Sequence, residues 1–331
     1  MTDTAADRLS TRGGKFDVVV IGGAAAGLSG ALSLVRARRT VLVVDAGDPR
    51  NAPAAHVHNY LGREGATPGE LYGVGRDEVQ SYGGTVRTGR VQTVARDGGG
   101  GFMVQLEGGE QVYARRVLAA SGVRDMLPAV PGIPERWGRS VLHCPYCHGW
   151  EVRDQAIGIL ATDMGIAMHQ ALLWRQWSTD VTLFLHTAGT PDDTQAEQLA
   201  ARGIRTVAGE VAGVEGERAA VRLANGDLQD RDVLVVFSRL EARAGYLAGL
   251  GIVPADQYMG DVVYGTAVSA DPAGTTSVPG VYAAGNLTAP SAQVMAAAAA
   301  GLMAGAAING DLVAEDTARS VEALAAAGRG R

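Results

Sequence analysis

The sequence predicts an α/β protein of two doubly wound, Rossmann-like domains, the second inserted in the first. Three observations predict it. An apolar run from Phe16, a Gly/Ala turn, a helical stretch and a second apolar run open the chain. The same succession returns at Ala156, with no low-complexity linker between the two blocks. After Gly251 the pattern changes again, and a strand-like run, Gly280 to Ala284, leads through Gly285-Asn286 into an Ala-rich helix. Apolar runs alternating with helical stretches are what parallel sheets with crossover helices require. The expected division is a disordered leader over 1–14, one domain from 15–122 and 252–331, and an inserted domain over 123–251.

The first unit of the pattern is a strand over Phe16 to Ile21, a helix over Gly27 to Arg38 and a strand over Thr40 to Asp45. Residues 46–75 read as loop, because Pro49, Pro53 and Pro68 interrupt any long periodicity. Two alternating runs, Arg90 to Val94 and Phe102 to Leu106, flank the flexible Gly98 to Gly101, and Arg116 to Ala120 reads as a further strand. The second pattern runs Ala156 to Leu160, Gly165 to Trp177 and Val181 to Leu185. A hairpin-like insert over 205–230 precedes the strand Val233 to Phe237, and the last helix is expected from about Ser291.

With 331 residues, 47% of them hydrophobic, two cores can form without staples. Two cysteines exclude a disulfide-stapled secreted scaffold. The net charge is -6 and Lys15 is the one lysine among 29 basic residues, with no basic cluster, which argues against nucleic acid as the main partner. Phe16 to Leu28 mimics a signal-peptide core, yet Asp3 and Asp7 stand where a positive leader belongs. The longest apolar run, Val294 to Ile308, has 15 residues, short of the roughly 20 that span a bilayer. The expectation is a cytoplasmic protein without a membrane partner.

Gly22-Gly23-Ala24-Ala25-Ala26-Gly27 joins the first strand to its helix. Glycines there allow a tight turn, close approach of a pyrophosphate and close packing of helix on strand. Ala24 stands where a third glycine is usual, and a lone imperfect turn of this kind also fits an ordinary loop. Asp45 tips the balance: it ends the second strand, where a carboxylate accepts hydrogen bonds from a ribose and repels a 2'-phosphate. The candidate contacts here are Gly22, Ala24, Ala26, Gly27 and Asp45, for FAD or NAD rather than NADP.

Cys144-Pro145-Tyr146-Cys147 holds both cysteines. The spacing allows a small-ring disulfide, and a helix start would lower one thiol's pKa. Zinc held by His143, Cys144, Cys147 and His148 is the poorer reading, because four ligands in six residues rarely close a tetrahedron and no second CxxC exists. Inert buried cysteines are the other alternative. The same string occurs in glutaredoxins, which are short single domains. A redox-active dithiol, with no metal, is the reading taken.

Near the end, Thr276 to Asn286 resembles the second FAD motif of two-dinucleotide flavoproteins, with Asn286 where that motif has Asp. Glycine turn, central CxxC, second nucleotide-type fold and the Val278-Pro279-Gly280-Val281-Tyr282-Ala283-Ala284-Gly285 strand together resemble a low-molecular-weight thioredoxin reductase, from residue 15 onward. The resemblance implies bound FAD, a homodimer, Cys144 as the outer cysteine and Cys147 as the flavin-proximal one. It adds Ala120 and Gly122 of the Ala-Ser-Gly crossover, Asn59 of the His58-Asn59-Tyr60-Leu61-Gly62 loop, Gly285, Asn286 and Gln293 as flavin contacts. The last helix would direct its positive N-terminus at the reduced flavin.

The chain also departs from those reductases. Its second turn, Leu160-Ala161-Thr162-Asp163-Met164-Gly165, keeps one glycine. Val181 to Ala201 contains no Lys or Arg, while Asp192, Asp193 and Glu197 face any 2'-phosphate with like charge. NADPH binding is therefore expected to be lost. After the pair, where the reductases carry an acid, stands His148, which can take and return a thiol proton, although a structural histidine is the plain alternative. Cys144 to Gly149 with a degenerate second turn resembles the FAD-dependent dithiol oxidases that close disulfides in gliotoxin and holomycin. The implied reaction oxidises a small dithiol with oxygen as acceptor. A thioredoxin reductase fed by NADPH or reduced ferredoxin, and a flavin-bound redox sensor, are the alternatives. Tyr146 and Trp150 are placed either at a small apolar substrate site or, for Trp150, in the core.

Overall fold

The structure, a computed structural model, describes residues 14–328. All of the expected leader except Gly14 lies outside the described residues. In chain order the elements begin β1 (Lys15–Ile21), α1 (Ala25–Arg36), β2 (Val41–Asp45), α2 (Pro68–Ser81) and β3 (Thr85–Thr88). There follow β4 (Val91–Arg96), β5 (Phe102–Leu106), β6 (Gln111–Ala119), β7 (Val123–Met126), β8 (Val141–Leu142) and α3 (Pro145–His148). Next come β9 (Ile157–Leu160), α4 (Met164–Trp174), β10 (Val181–Phe184), α5 (Asp193–Ala201), β11 (Arg205–Val207), β12 (Val211–Glu215), β13 (Ala220–Leu223) and β14 (Leu228–Gln229). The chain closes with β15 (Val233–Val235), β16 (Arg239–Ala242), β17 (Ala255–Met259), β18 (Val262–Ala267), β19 (Val281–Ala283) and α6 (Val294–Gly328).

The chain forms two compact units. The first takes in the described residues up to Arg50, Gly69–Arg124 and those from Leu240 on; the second takes in Asn51–Pro68 and Asp125–Arg239. Besides residues 123–124, which join the first unit, two longer stretches lie on the other side of the expected division. Residues 240–251 join the first unit because Ala244 and Leu247 are buried in its core beside Ile252. Residues 51–68 join the second, where Asn59 bonds to the Tyr146 carbonyl. Pro68, read as a loop breaker, instead opens α2. At a helix start proline's missing N–H was unpaired in any case and its fixed φ suits the first turn.

In the first unit the sheet order is β3-β2-β1-β6-β5-β4, with β19 also on β6. β1 is parallel to both β2 and β6, and β6 is parallel to β19. Strand order therefore reverses beside β1, and it is at such reversals that open sheets leave a crevice past their strand ends. The apolar β1 run supplies both faces: Val19 and Ile21 enter one core and Val18 and Val20 the other. α1 and α6 pack closely on the second core, because a Cβ on Gly301 would lie 1.9 Å from the Ala26 carbonyl oxygen.

α6 runs well past Ile308, so the expected 15-residue limit does not describe it: Val294–Ala327 is long and apolar enough to cross a bilayer by length and composition, as core helices can be. Its charged residues hold it to the sheet. Asp311 pairs with Arg116 at 2.6 Å and accepts from the Tyr282 hydroxyl at 2.9 Å, and Asp316 pairs with Arg39 and Arg115.

In the second unit β11-β10-β9-β15-β8 form a parallel sheet, and β12-β13-β14 an antiparallel one. α4 crosses from β9 to β10, burying Ala167, Ala171 and Trp174 against Ile157, Ile159 and Leu183. α3 follows β8 and presents the two cysteines.

Candidate active site

The first unit gathers most of the residues expected to hold the cofactor at the strand ends. Backbone bonds lock these ends together: the Gly22 N–H donates to Val44 O, the Ala120 N–H to Ile21 O, and the Ala284 N–H to Ala119 O. Gly22 has φ +112, and a Cβ there would lie 2.4 Å from the Ala120 oxygen. At Gly27 an added Cβ would lie 1.8 Å from the Gly22 oxygen, so α1 starts against the turn itself. Gly285, at φ +72, faces the Ala26 methyl at 2.6 Å from its would-be Cβ, and that of Gly122 comes 3.9 Å from Asn286 Cβ. Gly22, Ala26, Gly27, Ala120, Gly122, Gly285 and Asn286 thus form one cluster, with Ala24 half-buried in the turn as the N-cap of α1. Ala24 makes no side-chain cap bond, so the first turn of α1 receives no side-chain acceptor from it.

Asp45 closes that cluster from the end of β2. A Cβ on Gly23 would lie 2.5 Å from its carboxyl carbon, so only glycine lets the carboxylate sit against the turn. Asp45 also accepts from the Gly47 N–H at 3.1 Å and pairs with Arg76 at 3.8 Å. Asn286 carries a role the motif did not announce: its Nδ2 donates to the carbonyls of Pro290 and Ala292 at 2.9 and 2.8 Å, fixing the approach to α6. An Asp could not donate there. The Gln293 carbonyl accepts from the Ala297 N–H in the first turn of α6, which begins at Val294 rather than Ser291. Asn59 belongs to the second unit, at φ +59.

The second unit holds the sulfur chemistry. Cys144 is the N-cap of α3, Pro145 its first residue, and the Cys147 N–H turns back on the Cys144 carbonyl. Proline preorganises this turn and brings the sulfurs to 2.8 Å, both as thiols. His148 follows, half-buried, and neither ring nitrogen has a hydrogen-bond partner among the described residues. Burial pushes its imidazole below the ordinary histidine range, while Glu151 and the Cys144 backbone push back. Around the pair, Tyr146 stands edge-on to Trp177 at 5.7 Å, and Trp150 is 67% exposed beneath the Arg153 guanidinium. Of the two expectations for Trp150, the core placement is excluded within this chain.

The second βαβ turn lacks an open cradle. Asp163 is the N-cap of α4, and its carboxylate accepts from the Ile166 N–H at 3.0 Å. A fixed negative charge thus occupies the helix end at which a pyrophosphate would be held. At the end of β10, His186 takes φ +41 and its Nδ1 accepts from the Val211 N–H, with burial lowering its pKa. Among the described residues, no group of three or more His, Cys, Asp or Glu is placed to hold a metal.

The family model described as pyridine nucleotide-disulphide oxidoreductase matches residues 16–304. The chain belongs to that family. Within it the chain is similar to "Thioredoxin reductase sirT" of Leptosphaeria maculans, 32% identical over 92% of this chain and 96% of that one. "Thioredoxin reductase tcpT" of Claviceps purpurea is 30% identical over 90% and 95%. Among solved structures, HlmI aligns with a TM-score of 0.86 at 44% identity, covering 95% of this chain and 97% of that one. An oxidoreductase from Agrobacterium tumefaciens aligns at 0.84 and 37%, covering 90% and 99%. Members of the thioredoxin reductase type in this disulphide oxidoreductase family bind FAD. The first unit fits that group: Gly22, Gly27 and Gly285 keep the turn free of side chains, and Asp45 offers an acceptor to a ribose.

Sequence reasoning did not find the ionic group beside His148. His58 Nδ1 lies 2.6 Å from Glu64, and its Nε2 lies 3.4 Å from Glu151. His58 and Glu64 lie in one loop, and nothing local in the sequence ties them to Glu151, some ninety positions later.

Proposed function

We propose that this flavin-dependent disulphide oxidoreductase is a dithiol oxidase acting on a small-molecule dithiol, with oxygen as acceptor. The observation that carries the reading is the CxxC pair followed by a half-buried histidine with both ring nitrogens inaccessible, in a unit whose nucleotide turn is capped by its own Asp163. A thiol pair poised for exchange needs an electron outlet, and the second unit has lost the features that hold NADPH. The resemblance of Cys144 to Gly149 to the gliotoxin and holomycin oxidases supports the same direction of flow.

In the proposed reaction a substrate thiolate attacks Cys144 of the oxidised pair. The Cys144–Cys147 bond breaks, and the Cys147 sulfur leaves as a thiolate that His148 can protonate. The second substrate thiol gives up its proton and attacks the mixed disulfide at the substrate's own sulfur, expelling Cys144. The substrate thereby loses two electrons and two protons, and the pair gains them. FAD, when bound, supplies the two-electron acceptor for the pair and the link to oxygen, with hydrogen peroxide as product. His148 is half-buried, and with neither ring nitrogen hydrogen-bonded among the described residues it can exchange protons with the thiols. The exposed Tyr146 and Trp150 rings offer an apolar approach for a small substrate. A homodimer is proposed from the family resemblance.

An anaerobic titration tests this. Dithiothreitol should bleach the flavin and NADPH should not, and admitted oxygen should restore the colour with peroxide. Rapid bleaching by NADPH would overturn it in favour of a reductase. Cys144→Ser should lower dithiol oxidation by at least about a thousandfold while the flavin stays bound.

A further inference from the structure

The second unit surrounds its buried base with charge that the proposed reaction has not used. Glu151 follows His148 by three residues in the turn that continues α3, and is 38% exposed. The ring of His58 stands between two carboxylates, Nε2 toward Glu151 and Nδ1 toward Glu64. This loop is anchored where the chemistry is: the Asn59 N–H donates to Glu64, and the Asn59 amide donates to the Tyr146 carbonyl inside the CxxC. Glu64, His58 and Glu151 thus form one ionic row, whose last member follows His148 by three residues.

We propose that Glu151 and His58 are positioning residues for His148: the carboxylate sustains the imidazolium that a thiol proton creates, and the His58 ring meters how much of that carboxylate's charge is felt. The inference rests on the reading above that His148 takes a thiol proton. When a Cys S–H bond breaks and an N–H bond forms on His148, a thiolate and an imidazolium appear in a half-buried site. Burial opposes that cation, as it does for any buried histidine. Glu151 offsets the penalty and His58 works against it, the two acting on His148 with opposite sign. Among the described residues, Glu151 and His58 are the charged groups that act on the imidazole. Glu64 acts at one remove: its carboxylate is held below the usual range first by its bond to His58.

The test uses the anaerobic, reduced holoenzyme and iodoacetamide, which alkylates thiolate and not thiol. Rates are followed from about pH 5.5 to 8.5, the window of an imidazole. Near pH 7, Glu151→Gln should alkylate about 3- to 10-fold more slowly, because the cation partner of the thiolate is less favoured. Glu151→Asp should return to within about twofold of the parent. His58→Gln should react faster than the parent, by up to about threefold. A role confined to packing would slow both glutamine variants together, and that result, or no change in either, overturns the proposal. Melting temperature and flavin absorbance establish that each variant is folded. If Glu151→Gln loses its flavin, the proposal stands or falls on His58→Gln, where equal or slower alkylation overturns it and faster alkylation supports it. Alkylation requires neither oxygen nor turnover. A parent that does not oxidise dithiothreitol would therefore refute the oxidase reading and leave the alkylation result to decide this one.

Discussion

The two βαβ turns of this chain solve the same local problem and reach opposite states. Both follow an apolar parallel strand and open a crossover helix. In the first, Gly27 is pressed so tightly on the Gly22 carbonyl that a methyl group would sit 1.8 Å away, and no side chain caps α1. In the second, the nearest atom to a methyl on Gly165 is the Asp163 carboxylate at 3.4 Å, and that carboxylate already caps α4. One turn leaves its helix end open to an anion; the other supplies the anion from its own chain. The nucleotide-type fold of the second unit does not depend on an open turn, because its sheet and helix are held by buried apolar side chains.

The largest test of that contrast is a single methyl placed at each turn. Gly27→Ala should destabilise the protein by about 3 kcal/mol or more and strip most of the flavin, since the clash is with backbone. Gly165→Ala should be neutral or stabilising by about 0.4–1 kcal/mol. Urea melts and the ratio of flavin to protein absorbance after purification check both. A similar response of the two variants would break the comparison.

A smaller effect comes from the cap. Asp163→Ala should cost about 1 kcal/mol, because the Ile166 N–H loses its acceptor. NADPH should still fail to bleach the flavin, as Val181 to Ala201 contains no Lys or Arg. Bleaching by NADPH in this variant would show that Asp163 alone had closed the site.

The smallest effect is on pH. His148 and His186 titrate below the ordinary value of 6.5 when folded, so the unfolded chain binds more protons once pH falls toward and below that value. Stability should then decline as pH drops from about 7 to 5. His148→Asn should flatten part of the decline, read as melting temperature against pH. An equal decline in the variant would remove His148 from the account.

Much of the site is legible in sequence because its determinants are short-range. Gly22, Gly27 and Asp45 lie within one βαβ unit, and Cys144, Cys147 and His148 within one helical turn. Asp163 was legible as a charge in the wrong place, but its role as a cap depends on the backbone that follows it. Asn286 matched its motif position, whereas its three-residue grip on the approach to α6 required the folded loop. Trp150 could not be assigned to core or surface from its spacing, since one aromatic residue beside a turn carries no periodicity. Pro68 misled because proline breaks a helix interior yet suits a helix start, and the residues after it decide which.

The sequence by itself determined the α/β class, the nucleotide-type glycine turn and the CxxC pair. These follow from residue types at fixed spacing, where backbone geometry leaves few choices. Tertiary structure alone decided that residues 51–68 pack with the second unit and that His58 meets both Glu64 and Glu151. Those contacts join segments far apart along the chain, and Coulomb interaction depends on distance in space, which no local pattern records.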